Sequence, residues 1–77
     1  MPRVKSSVIA AIDYNPKTQV LEIDFHAGRT YDYLNVPPEI HQSLLTADSI
    51  GKYFNEVIRP NYRAILVRNQ DGWVGRS

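Results

Sequence analysis

The sequence predicts an α+β domain in which a three-stranded antiparallel β-meander is followed by two helices packed on one of its faces, in the order β-β-β-α-α. Three observations carry this. Residues Gln19 to His26 alternate, with Leu21, Ile23 and Phe25 on one side and Val20, Glu22, Asp24 and His26 on the other, the period of a half-buried strand. Pro37-Pro38-Glu39 then ends that alternation. Beyond it, Ile50, Tyr53, Phe54, Val57 and Ile58 fall at i, i+3, i+4, i+7 and i+8, the stripe of an amphipathic helix. Strands gathered in one half of the chain and helices in the other decide the class.

Each element has a local cause. Val8 to Tyr14 is rich in β-branched and aromatic residues and runs into Asn15-Pro16-Lys17-Thr18, where proline presets φ and asparagine accepts turn geometry. After the second strand, Ala27-Gly28-Arg29 supplies the positive-φ residue of a short hairpin, and Thr30 to Leu34 forms a third strand with Tyr31 and Tyr33 projecting together. The first helix starts at Pro37-Pro38-Glu39, with proline near its first position and an acid at the positive end of the dipole, and Ile40, Leu44 and Leu45 form its apolar stripe. The second starts near Ser49, an N-cap that competes with Asp48, and ends by Arg59, because Pro60 lacks an amide hydrogen and disfavours helical geometry before it. Ala64 to Arg68 has strand propensity and the turn-like Asn69-Gln70-Asp71-Gly72 follows, which leaves either a short fourth strand or a hairpin with Trp73 and Val74. The expected core is Val8, Ile12, Leu21, Ile23, Phe25, Tyr31, Tyr33, Leu44, Tyr53, Phe54, Val57 and Ile58.

A chain of 77 residues supports one small core. It contains no cysteine, which removes disulfide frameworks, thiolate nucleophiles and cysteine zinc sites, and makes the cytoplasm the expected compartment. No apolar run has the length of a membrane span, and the N-terminal residues lack the apolar stretch of a signal peptide. The expectation is a monomer without a cofactor, a small-molecule substrate or a membrane association.

The formal net charge is only +1, but its distribution is uneven: residues 1–10 carry +2, residues 11–48 carry −4 and residues 49–77 carry +3. A polyanion responds to such local charge more than to the total, so the question is whether the basic ends meet in space.

Ser6-Ser7, a strand closing on Tyr14, Tyr31-Asp32-Tyr33, Val36-Pro37, Ala47-x-Ser49-x-Gly51-x-Tyr53-Phe54-Asn55, and Ile58-Arg59 followed by Tyr62 occur in this order. The ordered set resembles the KTSC domain, named for its occurrence at the C-terminus of some lysyl-tRNA synthetases and also found as a free-standing bacterial and phage protein. The resemblance covers Ser6 to Tyr62, so residues 1–63 read as the KTSC-like domain and residues 64–77 as a C-terminal extension, a short strand and then a tail. It implies a small domain without established enzymatic activity, with RNA as the suggested ligand. The sequence departs from the family pattern at Ile50, where a basic residue is common.

The functional reading that follows is a non-enzymatic module that binds RNA. Lys52, Arg59 and Arg63, spaced by seven and four, with Arg3 and Lys5 from the N-terminus, are the expected phosphate contacts, against the alternative of a solvated helix face. Tyr31 and Tyr33 are either a stacking platform for bases or core residues whose hydroxyls reach polar partners, and the core reading is preferred because they share the face of Leu21, Ile23 and Phe25. The opposite face, with Glu22, Asp24 and Asp32, repels phosphate. The competing class is a protein-interaction adaptor that takes a partner on an exposed edge strand or through Trp73 as an anchor, with that tryptophan at least partly exposed. Gly51, in the first turn of the second helix, reads as a site of close backbone packing or of anion access at the helix start, the packing being the blander reading. His26 and His41 lack metal-ligand spacing and read as surface residues, and no serine–histidine arrangement supports acyl transfer. Asp13, Asp24 and Asp32 approach across strands, but such acids are usually only hydrated.

Overall fold

The computed structural model describes residues 6–69. The strands β1 (Ile9–Asn15), β2 (Val20–Phe25) and β3 (Arg29–Tyr33) form the expected meander, and β4 (Ala64–Asn69) returns antiparallel beside β3, so the sheet order is β1-β2-β3-β4. Between β3 and β4 lie α1 (Pro38–Thr46) and α2 (Ile50–Tyr53), the latter running without interruption into one π-helical turn, Phe54–Ile58.

The turns follow the local chemistry. Asn15 Oδ1 accepts from the amides of Lys17 at 2.9 Å and Thr18 at 3.4 Å, and the Gln19 amide donates to the Asn15 carbonyl at 2.7 Å, closing the first hairpin. Gly28 takes the left-handed conformation, φ 99°, that the second hairpin requires. Pro38 opens α1, and Ser49 Oγ caps α2 by accepting from the Lys52 amide at 3.2 Å.

The core lies between the sheet and the helices and is built from Ile9, Ile12, Leu21, Ile23, Tyr33, Val36, Leu44, Phe54 and Ile58. Phe25, Tyr31 and Tyr53 pack on it half-buried rather than inside it, and Val57 is also half-buried. The expectation for Val8 is overturned, for that residue is 46% exposed and Ile9 takes the inner position. The cause is a bulge: Ile9 pairs with Phe25 and Ala11 with Asp24, so Ala10 is an extra residue and the alternation of β1 shifts by one. A second bulge, at Val67, lets Thr30 face Arg68 while Tyr31 faces Leu66.

His41 also departs from its surface assignment. It is half-buried and stacks on Tyr14, ring centroids 4.5 Å apart at 20°, while the Tyr14 hydroxyl donates to the Val36 carbonyl at 2.6 Å. This clasp ties β1 to α1 and to the segment between β3 and α1. The close packing expected at Gly51 is not seen among the described residues, where a Cβ would lie 3.8 Å from Ser6 Oγ, an ordinary contact.

Candidate functional site

Arg29, Tyr31 and Tyr33 alternate along β3 and so point to the same side, the side the helices cover. There they meet the π turn. Its widened ring closes from the Arg59 amide to the Phe54 carbonyl at 2.9 Å, five residues back, and this carries Arg59 over Phe54 and Asn55. Between turn and strand is a cleft of about 600 Å³, floored by Phe25, Tyr31, Tyr33 and Phe54 and rimmed by Arg29, Asn55 and Arg59.

The rings of the floor touch edge-on or tilted. Phe25 meets Tyr31 at 80° and Phe54 at 67°, Tyr33 meets Phe54 at 86°, and Tyr31 meets Tyr33 at 43°. None of these pairs is stacked face to face. The expectation that both tyrosine hydroxyls reach polar partners is not met, as neither has a hydrogen-bond partner among the described residues. Burial pushes the Tyr33 phenol above its ordinary value, the Arg59 charge pulls it back, and Tyr31 adds to the rise. Among the described residues that line the cleft there is no acid, and neither Arg29 nor Arg59 is ion-paired with a described carboxylate.

The acids of the strands sit on the other face of the sheet, while Glu39 and Glu56 lie on the helical segment and do not line the cleft. Asp13, Glu22 and Asp32 form a row across β1, β2 and β3, and Asp24 Oδ1 accepts from the Thr30 hydroxyl at 3.0 Å. The Glu22 carboxyl is held above its ordinary value by burial first, then by the hydrogen bond it shares with Asp32 and by the charges of Asp32 and Asp13, while Arg68 opposes the shift. Asp32 Oδ1 is buried with no hydrogen-bond partner among the described residues. No group of described residues here is arranged to hold a metal ion.

Of the residues expected to contact phosphate, Arg59 lies on the cleft. Lys52 is exposed on α2 and does not line it, since the π turn breaks the spacing that would align the two on a regular helix. Arg63 is exposed just before β4, its carbonyl accepting from the Leu34 amide at 2.9 Å. Arg3, Lys5 and Trp73 lie outside the described residues. Arg29 and Asn55 are additional. The two-residue spacing from Arg29 to Tyr31 and Tyr33 is a signal that reading Arg29 as a turn residue passes over.

The KTSC domain family model matches residues 5–62. The chain belongs to the KTSC domain family. An uncharacterized protein of Stutzerimonas stutzeri is 44% identical over 59 residues, covering 77% of this chain and 83% of that protein. A lysine–tRNA ligase of Nostoc punctiforme is 39% identical over 59 residues, which are 77% of this chain and 10% of the ligase. The crystal structure of a KTSC domain protein from Yersinia pestis superposes with a TM-score of 0.82 at 38% identity, over 84% of this chain and 92% of that one. This KTSC chain is therefore a small α+β domain of a kind also carried by some lysyl-tRNA synthetases. Its β4 lies beyond the matched residues, yet completes the same sheet. No helix among the described residues is long and apolar enough to cross a membrane.

Proposed function

We propose that this KTSC domain is a non-enzymatic RNA-binding module whose contact surface is the helix-covered side of the sheet around Arg29 and Arg59. The supporting observation is the segregation of charge: the cleft side carries two arginines free of described ion-pair partners and no lining acid, while Asp13, Glu22, Asp24 and Asp32 occupy the far face. A polyanion is attracted to the first surface and repelled by the second. Lys52 and Arg63 extend the basic surface beyond the cleft, and Arg3 and Lys5 add charge from the N-terminus. The likeness of this chain to part of a lysine–tRNA ligase supports the RNA reading.

Anisotropy titration of labelled single-stranded and structured RNAs tests this. Binding is expected to saturate at low salt and to weaken as salt rises, with a log–log slope of about −0.7 per phosphate contacted on a single strand. The double variant Arg29→Glu, Arg59→Glu is expected to abolish it. Absence of saturable binding at low salt would refute the proposal.

A second reading rests on β4. Among the described residues it is an edge strand, with Ile65 and Val67 47% and 38% exposed, a surface on which an extended protein segment can add as a further strand. Retention of a protein partner after nuclease treatment would favour it.

A further inference from the structure

The proposed contact with RNA leaves open what the cleft itself recognises, and resting on that reading we propose that it seats one unpaired base of a single strand, with the base against the Tyr31 ring, Asn55 at the base edge, and the adjoining phosphates on Arg29 and Arg59. Phosphate attraction alone needs no aromatic floor. Phe25, Tyr31, Tyr33 and Phe54 line this cleft, and their edge-on and tilted contacts leave ring faces unstacked, Tyr31 being half-buried at the margin of the cluster. An aromatic face next to a guanidinium is the arrangement that takes a base and its phosphate together.

The polar groups match as well. Tyr33 and the exposed Asn55 also line the cleft, and the Tyr33 hydroxyl and Asn55 carboxamide have no hydrogen-bond partner among the described residues, which makes both donors and acceptors available to a base edge. A volume of about 600 Å³ is of the size that holds one small ligand. In a duplex the base faces are already covered by their neighbours, so a ring face selects a base that has left the stack.

The test compares three ligands on the same protein: a single-stranded RNA heptamer, an abasic heptamer with the same phosphates, and AMP. The base-bearing heptamer is expected to bind about tenfold or more tightly than the abasic one. Tyr31→Ala is expected to erase that ratio while leaving abasic binding unchanged, and Tyr31→Phe, which keeps the ring, to preserve it; melting curves of both variants confirm that they fold. Equal binding of the two heptamers, or a ratio that survives Tyr31→Ala, would overturn the base site and leave the RNA reading standing. AMP binding as tightly as the heptamer would instead identify a mononucleotide site and overturn both proposals. Failure of all three ligands to bind would overturn the base site, and would overturn the RNA reading as well only if structured RNA also fails to bind at low salt.

Discussion

Two groups of aromatic side chains sit under the helices, and they use their polar atoms differently. In the clasp, Tyr14 stacks face to face on His41 and its hydroxyl donates to the carbonyl of the fully buried Val36. In the cleft, Phe25, Tyr31, Tyr33 and Phe54 meet by their edges, and both tyrosine hydroxyls lack described partners. The clasp spends its hydrogen-bonding capacity on the fold. The cleft leaves its capacity unused among the described residues, and at no burial cost, since neither tyrosine hydroxyl is a buried atom lacking a partner.

The strongest challenge to this contrast is at Phe54, which is 3% exposed and meets both Phe25 and Tyr33. Phe54→Ala is expected to cost about 3 to 5 kcal/mol, read from urea denaturation. An unchanged midpoint would mean that the cleft floor is not part of the core. Hydroxyl removal comes next. Tyr14→Phe leaves the buried Val36 carbonyl without its donor and is expected to cost about 1 to 2 kcal/mol. Tyr31→Phe and Tyr33→Phe are expected to stay within about 0.5 kcal/mol of wild type. Equal losses at all three positions would erase the distinction between the clasp and the cleft.

The smallest effect expected is one of pH. The His41 imidazole is held below its ordinary value of 6.5 by burial, with Asp13 pulling the other way. Because the folded state binds its proton less readily than the unfolded state, the stability contributed by neutral His41 is present above about 6.5 and is lost as pH falls through and below that value. The slope of stability against pH in that window should flatten in His41→Gln, as followed by thermal melts, and remain in Tyr31→Phe. A slope that persists in His41→Gln would assign it to another group.

What the sequence made legible depended on whether a feature leaves a pattern. Alternation in β2, the prolines of α1 and the Ser49 cap each have a direct residue signature, and each element formed where that signature stood. The bulge in β1 left none: Val8 and Ile9 are both β-branched, so either can take the inner position, and the pairing with Phe25 decides between them. The spacing of Phe54, Val57 and Ile58 suits an α-helix equally well, so the widened turn was hidden, and with it the placement of Arg59. A continuous apolar run such as Ala64 to Val67 does not say which strand it joins. Arg29 was readable from its parity with Tyr31 and Tyr33, but its role depends on the π turn opposite.

The π turn makes the position of Arg59 a matter of winding as well as residue type. Successive residues of an α-helix are rotated by about 100°, so winding the same residues as a regular α-helix would swing the guanidinium away from Tyr33, with every side chain of the aromatic floor retained. Excising one residue between Phe54 and Ile58 would instead let an ordinary α turn close from the arginine amide to the Phe54 carbonyl and leave the guanidinium over the cleft. A relative shorter by that one residue would keep both the sheet and the address.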